Sequence, residues 1–211
     1  MSRFNLFLLL ILFGLLIFAQ QDSALEDESI NLASVSPTVV VTATPTPTPT
    51  PTIAQPRFFN IPKISVSAPI TPVGVDENGK MQLPQNINEV GWYNLGSKPG
   101  EQGNAVISGH LDSTTGEDAI FYHLHELESG DNLYVSDELG NRYTFVVKAK
   151  EIYEFDQVPL AEVLGESSKK RLNLITCTGI FNPSSRNYSH RMVIYSELTS
   201  VSRFQLSPTK Y

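Results

Sequence analysis

The sequence predicts an all-β domain closed into a barrel, held on an apolar N-terminal segment by a proline-rich stalk. Three observations predict it. Past Arg57 the apolar residues recur with period two; in Arg142–Lys150, Tyr143, Phe145, Val147 and Ala149 share one face while Thr144, Lys148 and Lys150 share the other. Every aromatic outside the leading apolar run lies after Arg57, so the core is built there. Only Ile120–Glu126 and Pro159–Leu164 read as helices, and both are too short to cover a parallel sheet. Closure into a barrel is favoured over a sandwich because so many short strands would otherwise leave exposed edges.

In chain order, Met1-Ser2-Arg3 leads into an apolar run from Phe4 to Ala19, broken by Asn5 and Gly14 and followed by acidic Glu26-Asp27-Glu28. At about 16 residues, on the order of 24 Å as a helix, the run lies between a signal-peptide core and a full span of about 20 residues. A cleavable leader needs small residues one and three before the cut, but Ala19 has Ile17 and Ala24 has Asp22 at the outer position. Residues 1–21 are therefore expected to be an uncleaved transmembrane signal anchor. Arg3 keeps the amino terminus cytoplasmic under the positive-inside rule, and the rest of the chain lies outside.

Residues 22–56 form the expected linker. Asp22–Pro56 has no aromatic residue, and Thr42–Thr52 reads TATPTPTPTPT, with a proline at every second position from Pro45 to Pro51. Such a segment cannot bury a core and favours extended polyproline II at ~3.1 Å per residue, a semi-rigid spacer. An O-glycosylated stalk or a PxxP ligand is the sharper but weaker reading.

Residues 57–211 carry the barrel. Strands are expected over Phe58–Val66, Pro69–Val75, Asn104–His110, Asn132–Ser136, Arg142–Lys150, Leu172–Cys177 and Arg191–Leu198, with Asn78-Gly79 and Gly140-Asn141 marking hairpin turns. Lys and Arg number 15 against 22 Asp and Glu, for a net charge of −7, and no basic cluster exceeds Lys169-Lys170-Arg171. That balance excludes a surface that tracks nucleic-acid phosphates. A single cysteine excludes an internal disulfide, a CxxC pair and a zinc-finger framework.

That cysteine is Cys177, expected where the strand Leu172–Cys177 stops at Thr178-Gly179. A lone cysteine is ordinarily a small buried hydrophobe. An exported chain that avoids every other cysteine and keeps one thiol points instead to a nucleophile. A thiol nucleophile needs a proton partner, and His110, ending the strand Asn104–His110 beside Gly109, which lets the backbone turn or a substrate approach, has the context for one. His123 and His125 form an H-x-H pair whose metal reading lacks completing carboxylates. His190 and Arg191 would point to opposite faces of a strand, so only one of them can face a groove. Arg191, at the start of its strand, can donate to an oxyanion or clamp a peptide carbonyl, against the plainer role of a surface ion pair. Asp112 could orient the His110 imidazole, although a surface carboxylate is the simpler reading.

The ordered set Gly103–His110, Leu174–Cys177 and His190–Tyr195, with Ile61-Pro-Lys-Ile64 and Gly91-Trp-Tyr93, resembles the sortase family of cysteine transpeptidases over nearly all of Arg57–Leu198. Asn173–Cys177 aligns with the T-L-x-T-C signature, with Asn173 in place of the first Thr. The resemblance implies a closed eight-stranded β-barrel and a catalytic His110, Cys177 and Arg191. It also implies cleavage of an LPxTG-like C-terminal sorting motif through a thioacyl enzyme, resolved by an amine on peptidoglycan or a pilin. The implied setting is a bacterial cell membrane, single-pass, with the catalytic domain extracellular. No cofactor is implied. The acidic stretch Asp112–Gly140, free of Lys and Arg, is a solvated face, a calcium site or an attractor of cationic amine acceptors.

The polar end Thr199–Tyr211 argues against the pilin-polymerising subclass and for a single-domain housekeeping or class E/F type. Competing readings are another exported cysteine transpeptidase, such as an L,D-transpeptidase, and a stalked binding module with a buried thiol. L,D-transpeptidases resemble a His followed by Ser-x-Gly-Cys, whereas here the cysteine follows Ile175-Thr176, and native-state thiol alkylation separates a catalytic Cys177 from the buried thiol of a binding module.

Overall fold

The computed structural model describes residues 52–203. The anchor read over residues 1–21, most of the linker read over 22–56 and the chain past Arg203 lie outside the described residues. Among the described residues no helix is long and apolar enough to cross a membrane.

Eight strands close on themselves: β1 Pro56–Ile61, β2 Val66–Val73, β3 Val90–Tyr93, β4 Gly103–Ser108, β5 Asn132–Asp137, β6 Asn141–Glu154, β7 Lys170–Asn182 and β8 Asn187–Arg203, in the barrel order β1-β2-β3-β4-β7-β8-β6-β5. The β1–β5 pairing completes the cylinder and removes the sheet edges. Two joints are parallel, β2–β3 and β4–β7, and the rest are antiparallel.

Several elements differ from the sequence reading for local reasons. Phe58–Val66 is not one strand: Pro62 ends β1, a 3-10 turn Pro62–Ile64 follows, and Ser65 at φ 56 redirects the chain into β2. β3 was not anticipated, because four residues are too few to display alternation. The helix expected over Ile120–Glu126 is a 3-10 segment, Tyr122–Glu126, and that expected over Pro159–Leu164 is one α-turn, α1 Leu160–Val163. β6 and β8 outrun their alternating cores, with register shifts at Thr144/Phe145 and Val147/Ala149 that absorb the change of phase.

Inward residues of the strands, among them Phe59, Ile61, Ile107, Leu133, Phe145, Leu172, Leu174 and Ile194, fill the barrel with no exposed surface. Leu124 of the 3-10 segment, with Phe121 and Leu127 at its two ends, joins this core, and Phe121 meets Phe59 edge-on at 6.2 Å between ring centroids. A second, smaller core lies on the outer wall. Val106 of β4, with Val193 and Tyr195 of β8, packs against Val163, and the Val158–Leu164 segment covers them. The β5–β6 turn is organised by buried Asp137, which accepts hydrogen bonds from the amides of Ala54, Leu139 and Asn141, from the Asn141 side chain and from the Tyr143 hydroxyl. These donors hold its carboxyl below the ordinary value despite burial. The barrel thus grips the chain ahead of β1, at Ala54 and, through Asn141, at Thr52.

Candidate active site

The parallel β4–β7 joint determines which residues meet at one rim. Parallel neighbours end at the same edge of a sheet, so residues just past the last paired rung emerge side by side. The last rung is Ser108–Ile175. The Gly109 amide still donates to the Ile175 carbonyl at 3.3 Å, and Thr176 Oγ1 donates to the Gly109 carbonyl at 2.9 Å. This continuation carries His110 alongside Cys177. On the other side β8 runs antiparallel and sets Arg191 directly opposite Cys177. Opposed residues share a face, here the outer wall, since Ile175 and Val193 two positions away belong to the outer core. His190 stands opposite Thr178 on the alternate face, and its Nδ1 bonds Ser189 Oγ at 2.7 Å.

His110, Cys177 and Arg191 therefore converge, though not at strand termini as the sequence implied. β7 continues past Cys177 to Asn182, and β8 begins at Asn187, ahead of Arg191. Gly179 does not stop the strand. At φ 87 it forms part of the register shift between Thr178 and Phe181, and a Cβ there would collide with Ser189 and His190. β4, by contrast, ends at Ser108, so His110 lies in the loop beyond it. Gly109 serves packing rather than substrate approach: a Cβ would sit 2.5 Å from the Phe121 ring.

His110 Nε2 lies 2.8 Å from the Pro84 carbonyl oxygen. A carbonyl can only accept, so Nε2 carries the proton, and in the neutral ring Nδ1 holds the free lone pair. Arg191 spends Nη1 on the carbonyls of Tyr188 and His190, at 3.3 and 2.9 Å, and Nη2 on Asn187 Oδ1 at 2.6 Å. A guanidinium has about five N–H donors, so some remain for a ligand. Among the described residues Arg191 has no carboxylate partner.

Cys177 is half-buried, and burial pushes its thiol up; the Arg191 charge pulls it back and the Asp112 charge pushes it up again. The net direction is upward, so the resting group at neutral pH is the thiol. Asp112 is not a detached surface carboxylate, nor is an orienting bond to His110 found. Asp112 is half-buried, and its Oδ2 accepts the Tyr188 hydroxyl hydrogen bond. Burial and that bond push Tyr188 up to about 12. Pro84, Asn187 and Tyr188 carried no sequence signal, since the contacts of Pro84 and Tyr188 span 26 and 76 residues.

The other candidates fall outside this site. His123 pairs with Glu126, and His125 Nδ1 donates to the Tyr122 carbonyl, both exposed on the 3-10 segment. Among the described residues no group of three or more His, Cys, Asp or Glu is placed to hold a metal ion. In the acidic stretch, Asp131 accepts from Lys63 and the Glu128 amide, and Asp137 organises its own turn. Asn173, the departure from the signature, is buried below Cys177 and donates to the Val163 carbonyl at 2.8 Å and to Asn104 Oδ1 at 3.3 Å. It ties the outer segment to the wall and does not reach the thiol's rim.

A pH-resolved alkylation of the native protein checks the thiol. Raising a thiol's pKa depletes thiolate at a given pH. Iodoacetamide should therefore react with Cys177 along a profile shifted above that of a free thiol. Arg191→Ala removes the cation that favours thiolate, so the profile should move further up. A native thiol that never reacts would mark Cys177 as a closed core residue.

The Sortase domain family model matches residues 59–199. Among solved structures, the chain is similar to sortase C-1 from Actinomyces oris, with 26% identity, TM-score 0.53, and coverage of 68% of this chain and 71% of that one. It is also similar to sortase C1 from Streptococcus agalactiae, with 25% identity, TM-score 0.53, and coverage of 68% and 67%. Its fold is shared with sortase A from Listeria monocytogenes at 18% identity, TM-score 0.55, and coverage of 73% and 93%. No curated protein matches the chain.

Proposed function

The chain belongs to the sortase family of cysteine transpeptidases, and we propose that it cleaves an LPxTG-like sorting motif through a thioacyl intermediate on Cys177. The observation that carries this reading is the convergence of Cys177 with Arg191 across β7–β8 and with His110 across the parallel β4–β7 joint. The Cys177 thiol gives its proton to His110, whose Nδ1 lone pair is free, and the sulfur attacks the carbonyl carbon of the motif threonine. The C–N bond to the following glycine breaks, and the departing amine takes its proton from His110. An amine on peptidoglycan or a pilin then attacks the thioester, forming an amide and returning sulfur to Cys177. Arg191 steadies the oxyanion with the donors that its own ribbon leaves free. Because burial and Asp112 favour the thiol, the attacking thiolate is a minority species at neutral pH.

The test is to incubate the full chain in detergent with a panel of sorting peptides and examine Cys177 by mass spectrometry. The expected result is an adduct equal in mass to the peptide up to and including its threonine, less one water. Absence of an adduct with every peptide, from protein whose thiol alkylates, would overturn the reading.

The proposal includes the setting. Residues 1–21 anchor the chain, residues 22–56 hold the barrel away from the bilayer, and catalysis is extracellular. The apolar run with Arg3 ahead of it supports this. Protease added to intact cells should cut the Thr/Pro linker and release an active barrel. A barrel already free in the culture medium would mean that the apolar run is removed instead.

A further inference from the structure

Asp112 lies two residues past His110 in the loop leaving β4, and Tyr188 lies on β8 just ahead of Arg191. Their hydrogen bond joins the loop after β4 to β8, the two elements that lie on either side of β7 and Cys177. The Tyr188 ring is itself held against Phe181, with centroids 5.2 Å apart, so the carboxylate is fixed in position. The bond uses Oδ2; the other oxygen has no donor among the described residues. No Lys, Arg or His among the described residues lies within ion-pair distance of it. Arg191, the adjacent cation, is turned to acceptors of its own ribbon.

A fixed, half-buried anion without a countercharge, beside a sulfur that must ionise, works against the first half-reaction. A local conflict at a functional site calls for a compensating role. Once Cys177 is acylated, the sulfur is a neutral thioester and the conflict disappears. The second substrate is then a primary amine, which for a lysine-type side chain is an ammonium at neutral pH, with a pKa of about 10.4 in water.

We propose that Asp112, held by Tyr188, is the subsite for the acceptor, binding the ammonium of an incoming primary alkylamine beside the thioester. The inference rests on the transpeptidase reading and adds the charge class of the second substrate. In the step, the bound ammonium loses one proton to solvent, and the neutral amine attacks the thioester carbonyl. The C–N bond forms, the C–S bond breaks, and the second amine proton passes through His110 to the Cys177 sulfur. The products are an amide and a free thiol. Asp112 acts on binding, so its effect falls on the acceptor KM rather than on the maximal rate.

The experiment compares two nucleophiles on the acyl-enzyme: lysine amide, a cation, and hydroxylamine, largely neutral at pH 7. For Asp112→Asn, the ratio of kcat/KM for lysine amide to that for hydroxylamine should fall about tenfold, chiefly through the lysine KM. A salt titration of the unsubstituted protein needs no variant. Lysine amide KM should rise with ionic strength and hydroxylamine KM should not. A ratio unchanged in the variant, or equal salt sensitivity for both nucleophiles, would overturn the acceptor subsite while leaving the acyl-enzyme in place. Failure of the unsubstituted protein to form any acyl-enzyme would overturn the transpeptidase reading and this inference with it.

Discussion

Cys177→Ala should abolish both the thioacyl adduct and transpeptidation while leaving the barrel folded. The chemical half follows from the mechanism: without sulfur there is no atom to carry the acyl group between donor and acceptor, and nothing else at this rim is a nucleophile of comparable strength. The structural half follows from position. Cys177 projects from the outer wall, is only half-buried, and makes none of the inner contacts that fill the barrel. Deleting one sulfur there costs on the order of 1 kcal/mol or less, because the large penalties of truncation belong to closed cores. The register holding β7 to β4 and β8 is main-chain and survives the change. The measurements are peptide turnover, the Cys177 adduct mass and a melting curve. Retained turnover in a folded Ala variant would remove Cys177 from the chemistry.

The fold class could be read because alternation in Arg142–Lys150 and its counterparts reports a wall with one buried side, which is a local property. What the sequence withheld was pairing. His110 and Cys177 look equivalent to any other residues near strand ends until β4 and β7 are known to be parallel neighbours, and that joint spans the whole β5–β6 hairpin and α1. Tyr188 gives no signal in sequence: it is one tyrosine among eight, and only the β7–β8 ribbon folding back over the loop after His110 brings it to Asp112. Glycine punctuation misled in both directions. Gly179 looks like a terminator and is a bulge within a continuing strand, while Gly109 looks like an opening for substrate and is closed by the Phe121 ring. Both depend on what lies across the gap, which periodicity does not encode.

Arg191→Lys should be nearly as damaging as Arg191→Ala. A surface ion-pair role would leave turnover intact in either variant, at well under ~1 kcal/mol of stability, but among the described residues no carboxylate pairs with Arg191. The guanidinium instead binds three acceptors of its own ribbon, the carbonyls of Tyr188 and His190 and the amide oxygen of Asn187. These bonds fix the plane of the group, and with it the direction of the donors left for substrate. Lysine supplies a mobile point charge with no plane to fix, so it can neither hold the three acceptors together nor present a fork to an oxyanion. Loss of preorganised donors of this kind costs on the order of 10² or more in rate. Both variants should therefore lose kcat/KM on the sorting peptide by about that factor, with melting temperatures close to that of the unsubstituted protein. Charge alone does have one effect that lysine should preserve. By keeping a cation opposite Cys177, it should restrain the upward shift of the alkylation profile that Ala releases. A Lys variant with a restored alkylation profile and absent turnover would separate the two roles of Arg191. Near-normal turnover by the same variant would show that positive charge suffices and that the fixed fork is dispensable.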